Sequence, residues 1–400
     1  MFDTLLVLGG GRSTRFWPLE NKNLISFLGK THLQYQLEKF CRFTKKIIIV
    51  ANQDIFDEVK QLVKNLGVSA TCLVQEKPGQ AEAILTAKNY LLGSTLIVNA
   101  SDIIESDLLK DLGNKIHSSE ADAIIASKVM TDYFPGGYVV IKDNLVQEIV
   151  EKPEPNNIPS NAVKLVADAF KDIDDFISIL EKTESARDDQ YEVSLSKYIK
   201  LNKKVSNYDY SGKWITIKFP WDVLDVMKYH LNTMESVRNN IDVRDQIVIK
   251  GKVYIEEGVK VMPFATIVGP AYIGKNSVIG SYSLVRECHI GEDCMIGGFS
   301  EVTRSYLGSR VYLHRNYVGD SVLADDILLG ADAVTANYRF DSKPIFSLVK
   351  GQLFSTKREK FGTIIGSNVK IGVNSSIMPG VKIGKNNVVN PQDIVKRDIS

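Results

Sequence analysis

The stretch YIGKNSVIGSYSLVRECHIGEDCMIGG, residues 272–298, decides the architecture of the second half of this chain. An aliphatic residue followed by glycine recurs in it at Gly274, Gly280, Gly291 and Gly297. The pair returns at Gly308, Gly319, Gly330, Gly366, Gly372 and Gly384. The spacings are mostly six residues or close to twice six. A short fixed period marks a solenoid, and six is the period of a parallel β-helix. One aliphatic side chain per hexad points inward and stacks on its counterpart in the next coil. The glycine is expected to permit the tight corner beside it. A β-sandwich would alternate with period two and would lack this aliphatic-glycine clock. From 338 to 362 the clock stops, so YRFDSKPIFSLVKGQLFSTKREKFG reads as a loop extruded from the coil. It carries Arg339, Lys343, Lys350, Lys357, Arg358 and Lys360 against only Asp341 and Glu359.

The first half is a different kind of chain. TLLVLGGG (4–11), KKIIIVAN (45–52) and STLIVNASD (94–102) read as buried strands. HLQYQLEKFCRF (32–43), DEVKQLVKNLG (57–67) and AEAILTAKNYLL (81–92) have helical spacing. Strands alternating with helices imply βαβ units and a parallel sheet. GGYVVIKDN followed by LVQEIVEKP reads as an antiparallel addition, and FPWDVLDVMKYHLNTMESV (219–237) as a closing helix. The boundaries that follow are 1–237 for the α/β part, a polar linker at 238–247, and 248–400 for the β-helix.

At 400 residues the chain is long enough for two or three domains of about 150 residues each. Lys+Arg 49 against Asp+Glu 48 leaves a net charge of +1, which gives no reason to expect nucleic acid or an anionic membrane. No apolar run approaches the roughly 18 residues of a membrane span, and MFDTLLVLGGG lacks the basic start of a signal peptide. Four cysteines are too few for a disulfide framework, so a cytoplasmic protein with reduced thiols is expected.

LGGGRSTRFWPL (8–19) follows a predicted strand. It is neither the dinucleotide fingerprint, because Thr14 occupies the last glycine position, nor a Walker loop, because no G-K-[ST] occurs. Bare N–H groups at Gly10 and Gly11, with Arg12 and Arg15, still suit phosphate oxygens. A plain strand-to-helix turn with solvated arginines is the competing reading.

This loop, a lysine soon after it, and FLGKTHLQYQ resemble the signature of the sugar-1-phosphate nucleotidyltransferases. QEKPGQAEAI (75–84), VNASD (98–102), GGYVVI with VEKP (150–153), SNA (160–162) and WITIKFPWDVL (214–224) continue the resemblance over 1–235. It implies a Rossmann-like mixed-sheet domain that joins a sugar 1-phosphate to a nucleoside triphosphate and releases pyrophosphate. It assigns Arg15 to the departing phosphates, Lys22 to the α-phosphate, and Asp102 to Mg²⁺. Gly10, Gly11, Arg12, Gln75 and Gly79 would hold the nucleotide. Gly137, Glu151, Lys152 and Asn161 would hold the sugar phosphate. Three departures stand out: Ser13 replaces a glycine, Gln80 a threonine, and Thr216 the second metal carboxylate.

The second half resembles the left-handed hexapeptide acyltransferases, most nearly the acetyltransferase half of archaeal-type enzymes that make UDP-N-acetylglucosamine. LHRNYVGDSVLADDILLGADAVTANYRFDSK (313–343) carries this likeness, which covers about 250–398. Acetyl transfer to an amine needs a base near neutral pH, which singles out His314. Tyr317 and Asn337 would position the amino sugar or help polarise the thioester carbonyl, and Arg339 and Lys343 would bind substrate phosphate. The basic loop 350–360 is a candidate for the phosphates of the co-substrate acetyl-CoA. His32, His117, His230 and His289 read as structural or surface residues, and Cys288 and Cys294 match no zinc spacing. The resemblance implies a homotrimer or a dimer of trimers. Three functions remain open on the sequence. The first is a bifunctional enzyme acetylating glucosamine-1-phosphate and then coupling it to UTP. The second is a nucleotidyltransferase alone (mannose-1-phosphate guanylyltransferase-like, or glucose-1-phosphate uridylyl- or thymidylyltransferase) with the β-helix as scaffold. The third is a regulatory homologue with a decayed site.

Overall fold

A computed structural model describes residues 1–238 and 246–400. The expected linker at 238–247 lies largely outside them. The described chain forms two compact units, one of Met1–Arg12 with Leu33–Thr216, the other of Ser13–His32 with Ile217–Ser400.

The first unit is built on a nine-stranded mixed sheet. Its strands run in the order Ala70–Gln75, Ile47–Asn52, Thr4–Gly9, Thr95–Asn99, Ala162–Phe170, Ala123–Val129, Val205–Asp209, Leu145–Glu151, Gly137–Lys142. The first four are mutually parallel. Thr4–Gly9 and Ile47–Asn52 are buried at every position, which is why they read as unbroken apolar runs. Parallel pairing brings their carboxyl ends to one edge, where Gly10, Asn52 and Gln75 lie, and α/β sheets bind ligands at that edge. The antiparallel pair 137–142 and 145–151 turns through Asp143 and Asn144, both at positive φ (51° and 61°). Two successive positive φ values suit the twist of a two-residue hairpin.

The second unit coils through three parallel sheets of eight, eight and seven strands. Ile255, Ile273, Ile290, Leu307, Leu323, Ile365 and Ile383 stand in register down one of them. All seven are fully buried, and each contributes roughly 2 kcal/mol by removal from water. The interval from Leu323 to Ile365 contains the extruded segment. It folds into a hairpin, Phe346–Val349 against Gln352–Ser355, tied to the coil by Ser347 Oγ donating to Gly380 O (2.8 Å).

The glycines have a different cause from the one the sequence suggested. Positive φ at the corners falls two residues later, on Asn276, Asp293, Arg310, Asn368 and Asn386. Gly274 is required by the neighbouring coil: a Cβ there would lie 2.6 Å from the carbonyl carbon of Gly291. Asparagine and aspartate tolerate the left-handed conformation, so the turn and the close approach are served by separate residues.

The helix expected over 219–237 is shorter, Val223–Thr233, after a 3₁₀ turn at Pro220–Asp222. The Asp222 carboxylate accepts the Lys218 and Phe219 N–H groups, both at 2.7 Å, and holds its start. Segment 13–32 packs within this unit through Phe27, which is fully buried among His230, His289 and Tyr306.

Candidate active sites

At the carboxyl edge of the first unit, Gln75 organises the loop that follows it. Its side-chain amide donates to Lys77 O and Gly79 O, both at 2.7 Å. Gly79 (φ 116°) then opens the helix Gln80–Ala87. A Cβ on Gly10 would sit 2.8 Å from the Gln75 amide carbon, so Gly10 and Gln75 need each other's shape. Asn52, which sequence reading passed over, donates to Gly11 O (3.2 Å). Gly11 has open space around it and Arg12 is exposed. The loop therefore presents backbone to solvent, as a phosphate cradle requires.

Asp102 begins a short strand, Asp102–Ile104, paired with Trp214–Thr216. It is buried, with Asn99 Nδ2 donating to Oδ1 (3.2 Å) and Trp214 Nε1 to Oδ2 (3.1 Å). Thr216 is its direct partner across the antiparallel ladder, so both side chains lie on one face. A carboxylate facing a hydroxyl is an all-oxygen set, suited to a hard cation that keeps phosphate and water ligands. Among the described residues no cluster of three or more His, Cys, Asp or Glu offers a complete metal cage.

Beyond this edge lies a cavity of about 370 Å³. Gly79, Glu151 and Lys152 line it. Lys152 Nζ pairs with Glu151 Oε1 at 2.7 Å. Gly137 is the ladder partner of Glu151, and a Cβ there would meet Glu151 Oε2 at 3.2 Å. Gly137 shapes the wall without lining the cavity, and Asn161 is exposed before the strand Ala162–Phe170. Sequence reading missed the support of this wall. Buried Lys164 pairs with Asp168 Oδ2 at 2.5 Å, and Tyr191 OH donates to the same oxygen at 2.7 Å. A buried lysine and aspartate four residues apart on a strand were the available signal.

In the second unit, exposed Arg15 places its guanidinium 5.9 Å from the Phe219 ring centroid. Lys22 Nζ donates to Ile217 O at 3.2 Å. Both cations are thus steered by the 217–219 turn.

His314 follows Leu313, which stands in register with Ile279, Ile296 and Leu329. Each of those three residues is followed by glycine: Gly280, Gly297 and Gly330. The histidine therefore occupies a glycine position of the coil, and its side chain is exposed. Its N–H donates to the Asn316 side chain, whose amide in turn donates to Gly330 O (2.8 Å) and Ala333 O (2.9 Å). Tyr317 and Asn337 meet directly, Nδ2 to OH at 3.0 Å. Asn337 also donates to Asp320 Oδ2, and Asp320 is gripped by Arg304 at 2.7 and 2.8 Å. Asp320 and Arg304 were not legible as partners. Arg339 forms a two-pronged pair with Asp341 (2.8 and 2.6 Å), so part of the loop's charge is spent locally, while Lys343 is exposed. Arg358 of the basic segment likewise pairs with Asp225 at 2.7 Å.

His289 is structural. Its Nδ1 contacts Leu307 O (3.0 Å), its Nε2 accepts the Leu28 N–H (3.0 Å), and it stacks between Tyr272 and Tyr306. Burial pushes its pKa down to about 4 and keeps it neutral. Cys288 and Cys294 lie inside the coil, their thiols pushed up to about 12 by burial.

Comparison with known families settles the class. The nucleotidyl transferase family model matches residues 4–217. The chain belongs to the nucleotidyl transferase family. The bacterial transferase hexapeptide model (six repeats) matches residues 252–287 and 362–392, which makes the coil a left-handed β-helix of hexapeptide repeats. The chain is 34% identical to the "Bifunctional protein GlmU" of Methanococcus vannielii, over 98% of this chain and 95% of that one. It is also 34% identical to a "Bifunctional sugar-1-phosphate nucleotidylyltransferase/acetyltransferase" of Sulfurisphaera tokodaii, over 98% and 97%. A solved UDP-glucose pyrophosphorylase complexed with UDP-glucose covers 58% of this chain and all of its own, at 17% identity and TM-score 0.51. That likeness concerns the fold. The family member described here is a transferase. No helix among its described residues is long and apolar enough to cross a membrane.

Proposed function

We propose that this transferase carries out two reactions on a sugar 1-phosphate. In the β-helix, the amine of glucosamine-1-phosphate attacks the thioester carbonyl of acetyl-CoA. A C–N bond forms, the C–S bond breaks, and coenzyme A leaves as the thiol. His314 accepts the amine proton, and the Tyr317–Asn337 pair, fixed by Asp320 and Arg304, orients the sugar. In the α/β unit, a phosphate oxygen of the acetylated sugar attacks the α-phosphorus of UTP, and the bond to pyrophosphate breaks. Positioning and charge compensation suffice for such a displacement. The Gly10–Gly11 backbone with Arg12 binds the triphosphate, and Glu151 with Lys152 the sugar phosphate; the family likeness further assigns Arg15 to the departing phosphates and Lys22 to the α-phosphate. Asp102 is the residue that would hold Mg²⁺, which when bound offsets phosphate charge.

The observation that carries the two-activity reading is His314, an exposed imidazole at a position where the flanking coils keep glycine. Nearly full-length similarity to proteins named bifunctional supports it. A homotrimer, in which a neighbouring coil completes the cleft at His314, and a cytoplasmic setting belong to the same proposal. Thr216 opposite Asp102 favours a second reading, in which nucleotidyl transfer has weakened and acetyl transfer persists. The test is a matrix of triphosphates against sugar 1-phosphates, read as pyrophosphate release with and without acetyl-CoA. Release and thiol formation together support two activities, and thiol formation alone supports the second reading.

A further inference from the structure

The cavity beside Glu151 has an unbalanced lining. Glu82, Glu151, Asp188 and Glu192 face it, against Lys152 and Arg187. Lys152 is committed to Glu151 at 2.7 Å. Lys164, behind the wall, is committed to Asp168 at 2.5 Å. Glu192 lies on the helix Gln190–Lys200 and is only 7% exposed; its carboxylate accepts its own backbone N–H, and no cation pairs with it among the described residues. A buried carboxylate without a counter-charge is costly, and a ligand bearing positive charge would offset that cost.

We propose that Glu192 is a specificity-determining residue that receives an ammonium group, so that the α/β unit accepts an amino sugar 1-phosphate before any acetylation. This rests on reading the cavity as the sugar subsite, and it widens that reading: the order of the two reactions is then not imposed by this pocket. The groups facing Glu192 are Glu151 at the end of one strand and Lys152 just after it, Lys164 and Asp168 from another strand, Tyr191 beside it, and Asp188 from the preceding loop. Burial, reinforced by Glu151 and Asp168 and opposed by Lys164, pushes its pKa up to about 7.

The experiment compares glucosamine-1-phosphate, N-acetylglucosamine-1-phosphate and glucose-1-phosphate as acceptors of UTP, without acetyl-CoA, in the full-length protein and in Glu192→Gln. A charge-assisted hydrogen bond contributes about 1.5–3 kcal/mol, so the variant should lose roughly 10- to 100-fold in kcat/KM for the amino sugar. The other two sugars should change by less than about threefold. In the unmodified protein, the preference for the amino sugar over glucose-1-phosphate should rise about fivefold from pH 6 to pH 7. That is the growth in ionised fraction for a group at about 7, and titration of the shared phosphate cancels in the ratio. The rise should vanish in Glu192→Gln and persist in Glu192→Asp. Acetyl transfer by the same preparations reports that the variants are folded. Equal loss for all three sugars, or no loss, overturns the assignment. Absence of pyrophosphate release with every sugar in the unmodified protein overturns the nucleotidyl reading itself, and this assignment with it.

Discussion

Replacing Thr216 with aspartate puts a second carboxylate directly across the ladder from buried Asp102. Directly opposed Cβ atoms in an antiparallel pair are about 5 Å apart. At that distance and an effective dielectric of about 20, two like charges repel by about 3 kcal/mol. The unliganded variant should therefore melt lower, by roughly 6–12 °C if the whole penalty is felt in the α/β unit. The loss should shrink as pH falls, because protonating one member of the pair removes the repulsion. Mg²⁺ should reverse it: a cation at ten times its Kd restores about 1.4 kcal/mol, and higher concentrations restore more. The parent chain, with one carboxylate, should respond less to the same Mg²⁺. The assay is the melting temperature of both proteins across a Mg²⁺ series at two pH values, which needs no turnover. Equal Mg²⁺ responses in the two proteins, or a variant whose loss Mg²⁺ does not repair, would show that Thr216 does not face the cation position.

Three other outcomes are expected. His314→Gly restores the coil's own pattern, so stability should change by less than about 1 kcal/mol while acetyl transfer falls about 10²–10⁴-fold; pyrophosphate release should be unchanged, and its loss would contradict separate sites. Gly274→Ala drives a Cβ to 2.6 Å from the backbone of the next coil and should destabilise the β-helix severely, whereas Gly11→Ala, with nothing within 4 Å, should leave melting intact; circular dichroism separates the two. Of the four thiols, exposed Cys41 should react first with a disulfide reagent and half-buried Cys72 after it, with Cys288 and Cys294 silent until denaturant is added, counted by mass spectrometry.

The coil was readable because its period is short and each repeat buries the same kind of residue. Ile255 through Ile383 stack as the aliphatic-glycine clock implied. The reason for the glycine was not readable, since a corner and a close approach leave the same letter in a sequence. His314 was singled out by chemistry and by likeness, and it also has a physical signature: it interrupts the glycine column of Gly280, Gly297 and Gly330. The shape of the loops at Gly10 and Gly79 was legible, because backbone shape there is written in glycine. Asn52, Asp320 and Glu192 escaped notice because their roles come from neighbours distant in sequence. Arg339 drew attention by charge alone, and its pairing with Asp341 two residues away balances part of that charge.

Residues 13–32 fold as part of the unit that contains the coil. Glu20 pairs with Lys385, Ser26 receives the Tyr306 hydroxyl, and Leu28 leans on His289. The two halves of this gene are therefore interleaved, with the stretch carrying Arg15 and Lys22 depending on partners encoded more than 250 codons downstream. A fragment cut after residue 237 would retain every strand of the mixed sheet yet orphan that stretch, a consequence invisible in a linear map of domains.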